Sequence, residues 1–303
     1  MDQLHLMNVF VAVAEEEGFS AAARKLKMSP PAVTRAIVSL EDNLGVKLLN
    51  RTTRYVRATE AGLRYLEDSK KILALVQAAD EAAAGINAKP QGHLAITAPV
   101  LFGQMFVMPG VVDYLQRYPK TEVDAIFLDR VVNLIEEGLD VGIRIGELPD
   151  SSMRALRVGQ VRLIMVAAPA YLKEFGIPQI PQDITNHTII ASNAVSTSNE
   201  WSFECPEGTQ SGISSIRIKP RLNVTTNDAA IKACRQGFGI TRLLSYQVAD
   251  YLESGELKIV LENYEPAPRP VHIVHREGRL ASTKVRAFID LMAERLRKNK
   301  ALN

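Results

Sequence analysis

Two consecutive prolines, Pro30 and Pro31, interrupt the stretch FSAAARKLKMSPPAVTRAIVSLE (residues 19–41), and no other feature of the chain narrows its fold so far. Proline inside a helix removes a hydrogen bond and clashes with the preceding turn, but in the first turn no intrahelical donor is needed. With Ser29 as N-cap and Pro30 at the first helical position, the pair therefore starts a helix. The helical pattern before it takes Ser20 as its N-cap and carries Ala21, Ala22 and Ala23, small enough for another helix to cross closely. In the second helix Val33, Ala36, Ile37 and Leu40 form one apolar stripe, with Pro31, Thr34, Arg35 and Val38 on the opposite face.

A helix that offers Thr34 and Arg35 outward near its N-terminus has the geometry of the second helix of a helix-turn-helix, which enters a DNA groove. The local charge agrees. The net charge of +2 hides a gradient: Arg24, Lys25, Lys27, Arg35, Lys47, Arg51, Arg54 and Arg57 face only Glu41 and Asp42 between residues 24 and 57. Such an excess points to a polyanionic partner, whereas a charge run alone is ordinarily a solvated helix face. Val46, Leu48 and Leu49 are strand-prone, Arg51-Thr52-Thr53-Arg54 is a polar turn, and residues 56–58 can pair back. That hairpin is a wing from which Arg51 and Arg54 reach phosphates or the minor groove.

The order Phe19-Ser-Ala-Ala-Ala-Arg-Lys-Leu, Ser29-x-Pro-Ala-Val-Thr-Arg, Leu40-Glu, Leu44-Gly45, Asn50-Arg51-Thr52 and Thr59-Glu60-Ala61-Gly62 resembles the winged helix-turn-helix of LysR-type transcriptional regulators. NLIEEGLDVGIRIGELPDSSMRA and GFGITRLLSYQVADYLESGEL are similar to effector-domain segments of that family, so the resemblance spans nearly the whole chain. It implies DNA contacts from Ser29, Pro31, Thr34, Arg35, Arg51 and Arg54. Where many members carry Gln before the proline of the recognition helix this chain has Pro30, so no base contact is expected there.

From Thr59 to about Asn87 there is no proline, and Ile72, Val76, Ala79, Ala83 and Ile86 repeat at a 4-3-4-3 spacing. A helix of that length spans roughly 43 Å at 1.5 Å per residue. Its stripe needs a partner, either a second copy of the chain or the chain's own effector domain; reading a palindromic site favours the two-fold pair. After the linker NAKPQGH, strands alternate with helices, which implies a mainly parallel α/β sheet. Residues 103–117, 131–137, 227–236 and 282–297 read as helices, and PVHIVHREG returns to the first group of strands. The family resemblance implies two Rossmann-like lobes similar to periplasmic binding proteins. The expected division is 1–59 for the winged helix-turn-helix, 60–89 for the dimerisation helix and hinge, and 90–303 for the effector domain. Lobe I then takes about 90–161 and 268–303, and lobe II about 162–267.

Ligands in open α/β sheets gather at the carboxyl ends of strands, near helix N-termini. That rule puts Thr97, Pro99, Leu101, Phe102, Asp129 and Arg144 at the cleft from lobe I, and Ser192, Asn193, Asn227 and Thr241 from lobe II. Asp129 is expected to begin a helix, Asn227 is a good N-cap, and the helix N-termini favour a small effector that is a carboxylate or another anion.

The composition, 47% hydrophobic and 23% charged, is that of a folded globular chain, and no segment is apolar enough to cross a bilayer. Cys205 and Cys234 form no disulfide framework or metal motif, and the N-terminus lacks the pattern of an export signal, which together point to a reducing cytoplasm. Gly237-Phe-Gly239 begins a GxGxxG that Arg242 interrupts. His272 and His275 fall on opposite faces of a strand, so no metal is expected, and Trp201 reads as a packing residue. No cofactor or catalytic residue is assigned. Two readings stand: a ligand-responsive, sequence-specific regulator that binds an interrupted palindrome as a dimer or tetramer, or a small-molecule-binding module whose N-terminal segment only dimerises.

Overall fold

The computed structural model describes residues 2–51, 56–84, 89–148, 153–194, 198–204, 213–276 and 282–302. It contains two compact units, Met1–Ala88 and Lys89–Asn303.

The first unit packs α1 (Gln3–Glu15), α2 (Phe19–Lys25) and α3 (Pro30–Leu44) around Leu6, Val9, Phe10, Val13, Ala22, Ala23 and the stripe Val33, Ala36, Ile37 and Leu40. Each large aliphatic side chain buried there contributes about 1.5–3 kcal/mol. The turn between α2 and α3 places Lys27 in the left-handed region at φ 54°. The prolines do start α3, and Ser29 holds the N-cap position, but its hydroxyl makes no cap bond. The reason is local: a cap hydroxyl accepts from the second or third helical N–H. Here Pro31 has none, and Ala32 donates its N–H to the Ser29 carbonyl at 2.9 Å. Ser20 is not a cap either, because α2 begins one residue earlier with Gly18 at its N-cap.

Strands β1 (Leu49–Arg51) and β2 (Val56–Ala58) pair antiparallel as the wing. Thr59 closes it by donating its hydroxyl to the Lys47 carbonyl at 2.8 Å and accepting the Gly62 N–H at 2.9 Å, so it caps α4 (Glu60–Ala84). Gly62 lies so close to the wing that a Cβ there would meet the Leu48 carbonyl oxygen at 2.0 Å. The first turn of α4 can cross the strand only at a glycine.

The second unit holds two five-stranded sheets. Lobe I is built from β3 (Gly92–Ala98), β4 (Thr121–Phe127), β5 (Val141–Ile145) and β6 (Arg154–Val161), in the order β4-β3-β5-β14-β6. Lobe II is built from β7 (Leu163–Ala167), β8 (Ile189–Ser192), β11 (Leu222–Val224), β12 (Ile240–Leu244) and β13 (Lys258–Val260), in the order β11-β8-β12-β7-β13. The hairpin β9 (Glu200–Glu204) and β10 (Ile213–Arg217) covers one face of lobe II, and β14 (Arg269–His275) returns the chain to lobe I. Both sheets are mixed, not mainly parallel. β14 runs antiparallel to β5 and β6, and β7 runs antiparallel to β12 and β13. The antiparallel strands are those by which the chain passes from one lobe to the other and back.

The helix of lobe I starts as α5 (Val100–Phe102), loosens into a π-turn over Gly103–Val107 and continues as α6 (Met108–Arg117). The expected helix at 131–137 is absent. Residues 134–138 form a turn, in which the Asn133 carboxamide accepts the Ile135 N–H at 3.0 Å and Gly138 takes φ 67°. Side-chain capping from Asn and a left-handed Gly end a helix before it propagates. The remaining helices are α7 (Pro169–Phe175), α8 (Asn227–Arg235), α9 (Ala249–Glu253) and α10 (Thr283–Arg297).

Candidate DNA-reading surface and effector cleft

On α3 the buried stripe turns Ser29, Pro31, Arg35 and Val38 outward, with Thr34 half-buried between them. Arg35 carries no ion pair among the described residues, nor do Arg24, Lys27 and Arg57 nearby, whereas Lys25 pairs with Glu15 and Glu16. Unpaired cations around the N-terminal half of an exposed helix leave their charge available to phosphates and base edges. The Thr34 hydroxyl donates back to the Pro30 carbonyl at 3.1 Å, which leaves its oxygen free to accept. The side chains of Arg51 and Arg54 lie outside the described residues.

In the sequence Glu41 is an anion in a basic segment and part of the Leu40-Glu motif, with no structural role assigned to it. It is 2% exposed. Its Oε1 accepts the N–H groups of Leu48 and Leu49 at 3.0 and 3.1 Å, and its Oε2 accepts Lys47 Nζ at 2.8 Å. Burial alone would raise its pKa, but the Lys47 ammonium and the two strand N–H groups outweigh it and hold the carboxyl below the ordinary range. This carboxylate ties the reading helix to the wing.

In the second unit Thr97 is 1% exposed on β3, and its hydroxyl has no hydrogen-bond partner among the described residues. Thr241, fully buried on β12, is in the same state. Pro99 precedes α5; Leu101 lines a cleft of about 440 Å³ with Met105 on the lobe I side and Asp228, Tyr246 and Gln247 among the lobe II residues. Phe102 packs edge-on against Tyr246 with ring centroids 5.3 Å apart. Asp129 starts no helix; it accepts the Val100 N–H at 3.0 Å and so caps the start of α5. Burial raises its pKa against that hydrogen bond, and the charge of Asp228 adds to the rise. Arg144 is half-buried and donates to the Val132 carbonyl at 2.7 Å.

Asn227 is the first residue of α8 and not its cap. Thr226 holds that position, its hydroxyl accepting from Ala229 N at 3.4 Å. The 4%-exposed Asn227 instead accepts the Ser192 hydroxyl at 2.8 Å, while Asn193 is exposed and donates its N–H to Val224. Thus Ser192 joins Asn227, and Asp129 joins α5, but each helix start already has a carboxylate of its own, Asp129 on one side and Asp228 on the other.

Beside Ser192 lies a feature that sequence reasoning missed. Arg242, in the middle of β12, is 8% exposed, and its guanidinium lies over the Trp201 ring at 5.0 Å from the centroid. Burial lowers its pKa to about 10, and the charge of Arg269 adds to the effect. The one sequence signal is a charged residue within the otherwise apolar ITRLL; that every residue of the strand is buried shows only in the structure. Cys234 is buried, and desolvation pushes its thiol up to about 12, so it is unreactive; Cys205 lies outside the described residues.

A winged helix-turn-helix head followed by a bilobed α/β sensor defines a one-component transcriptional regulator. The comparisons name its family. Residues 4–63 match the bacterial regulatory helix-turn-helix protein model of the lysR family, and residues 87–297 match the LysR substrate binding domain. The chain is 34% identical over 296 residues to the HTH-type transcriptional activator AaeR of Escherichia coli strain K12, covering 97% of this chain and 94% of that protein. Among solved structures, it is similar to CrgA, a LysR-type transcriptional regulator from Neisseria meningitidis, with 29% identity, a TM-score of 0.61, and coverage of 96% and 98%. It is likewise similar to the full-length Vibrio cholerae virulence activator AphB, with 26% identity, a TM-score of 0.61, and coverage of 97% and 99%. The chain belongs to the LysR-type family of transcriptional regulators, and it is a ligand-responsive, sequence-specific DNA-binding protein.

Proposed function

We propose that two copies associate through α4 and set their heads on the halves of an interrupted palindrome, and that a small effector held between the lobes changes the spacing of those heads. The observation that carries the effector half is the 440 Å³ cleft lined from both lobes. A ligand shifts an equilibrium only by its difference in affinity for two arrangements, and contacts from two lobes are made together in one arrangement alone. Of the expected effector residues only Leu101 lines that cleft; Thr97 is kept in this reading because a buried hydroxyl without a partner among the described residues is costly unless something else bonds to it. The association half rests on Ile72 and Leu75, which are 37% and 67% exposed on α4. Val76 and Ala79 share that helix, while the side chain of Ala83 and all of Ile86 fall outside the described residues. The labour divides as 1–59 for reading DNA, 60–89 for pairing and relay, and 90–303 for sensing, in a cytoplasmic dimer or tetramer with no catalytic step.

The test uses a compound that alters the DNA footprint of the full chain, found by screening small metabolites. Thr97→Val keeps the side-chain shape and removes one hydrogen bond, so the concentration for half response should rise about tenfold while DNA binding without the compound stays unchanged. An unaltered half-response concentration would remove Thr97 from the site.

A further inference from the structure

We infer that the recess at Arg242 holds the carboxylate of the effector, an inference that rests on reading the bilobed unit as an effector sensor. Five N–H donors and a full charge are expensive to remove from water unless a carboxylate or several acceptors replace it. Arg162 meets that requirement, since it pairs with Glu265 and Glu262 at 2.7 and 2.8 Å. Arg242 does not. Among the described residues no carboxylate pairs with it; its Nε has no partner, and Nη1 reaches only the Ser202 carbonyl at a long 3.3 Å. The Trp201 face stabilises the cation but accepts no in-plane hydrogen bond.

The surroundings are arranged for an anion. Arg269, the first residue of β14, is half-buried and likewise has no ion pair among the described residues, and the two positive charges act on one another. The recess is lined by Ser192, Asn193, Ser198, Asn199, Trp201 and Arg242, with no acidic side chain among them, and inside it there is room for about one water. A carboxylate oxygen entering that water-sized space would supply the missing acceptor of a guanidinium that has only the Ser202 carbonyl among the described residues. Ser192 also donates to Asn227 at the start of α8, and the next residue, Asp228, lines the larger cleft. The alternative seat, at the helix N-termini, already carries negative charge: Asp129 takes the Val100 N–H, and Asp228 lies in the first turn of α8. Two carboxylates there repel an incoming third. The anionic end of the effector therefore lies at Arg242.

Trp201 is the chain's single tryptophan, so its fluorescence reports this recess alone. The full-length protein is titrated with acetate, benzoate, the neutral benzamide and inorganic phosphate. The expected result is a saturable change with at least one of the carboxylates and none with benzamide. Arg242→Gln should weaken the carboxylate response at least tenfold, and Arg242→Lys, which keeps the charge but loses the fork, should fall between; the Lys variant also decides the matter if the Gln variant fails to fold by circular dichroism. No saturable response to either carboxylate, or a response to phosphate alone, or Arg242 variants that titrate like the wild type, would overturn the inference. The broader reading fails separately. If neutral or cationic compounds alter the footprint while Trp201 ignores carboxylates, the cleft stands and the Arg242 seat is wrong; if no compound of any charge alters the footprint, the sensor reading itself falls.

Discussion

Glu41 joins two parts of the head that must keep a fixed geometry for the wing and the reading helix to meet one duplex together. Replacing it by Gln keeps an acceptor for Leu48 and Leu49 but removes the charge that binds Lys47 and strengthens both backbone bonds. The loss should be about 1–3 kcal/mol. The dependence on pH has a definite sign. The folded pKa lies below the unfolded one, so the unfolded chain takes up the proton first on acidification. The stabilisation is complete above the unfolded pKa and disappears as pH falls through the folded value. Amide exchange at Leu48 and Leu49 should therefore be faster in Glu41→Gln than in the wild type at neutral pH and converge with it in acid; equal protection at neutral pH would contradict the role. A residue such as Glu41 is hard to find by sequence reading. Its burial depends on two backbone donors seven and eight residues further on, and a lone acid amid cations looks like a solvated neighbour. Arg242 was hidden for a related reason. One strand does not disclose which of its side chains will be denied a counter-charge.

Elements with a strong period were the most legible. The stripe Val33, Ala36, Ile37 and Leu40 is buried throughout, and of its complement Pro31, Arg35 and Val38 are exposed and Thr34 half-buried, as a 3.6-residue repeat facing one core requires. The wing was legible as a hairpin but not in its bounds: β1 runs Leu49–Arg51, so Arg51, expected in the turn, pairs with Val56, and Val46 and Leu48 lie before the strand. Periodicity failed at 131–137, where Val132 and Leu134 are buried while Val131 and Ile135 are exposed, a two-residue spacing that no helix face gives, and the chemistry of Asn133 and Gly138 makes a turn. It failed also at Ser29, where the prolines that start α3 deprive the serine of the donor it would cap. For α4, 25 residues give a rod of about 37 Å. Ile72 and Leu75 remain exposed on it, and the 4-3-4-3 pattern omitted Leu75. Ile72→Asp would require each copy to desolvate a charge at the seam. The dimer measured by sedimentation should weaken at least tenfold, and DNA affinity should fall with it. An unchanged oligomer would mean that α4 is not the pairing element.

At the scale of the whole chain, a basic head reads DNA and a separate bilobed unit reads a small molecule, and each was legible to a different degree. The two-lobe architecture followed from alternating strands and helices together with the family resemblance, whereas the mixed strand directions did not, because direction is set by how the chain crosses between lobes. Individual cleft residues were placed by a rule about strand ends, and that rule does not say which helix start is already occupied by the protein's own carboxylate. The central claim is that the exposed face of α3 reads base sequence. Duplexes selected from a random pool by the full chain, and shuffled versions of them, are titrated by fluorescence anisotropy at several salt concentrations with the wild type and Arg35→Ala. The wild type should prefer the selected duplex at every salt concentration, and binding to both should weaken as salt rises. Arg35→Ala should lose about 1–3 kcal/mol on the selected duplex and much less on the shuffled one. Equal binding of both duplexes by the wild type, or full discrimination retained by Arg35→Ala, would contradict the account.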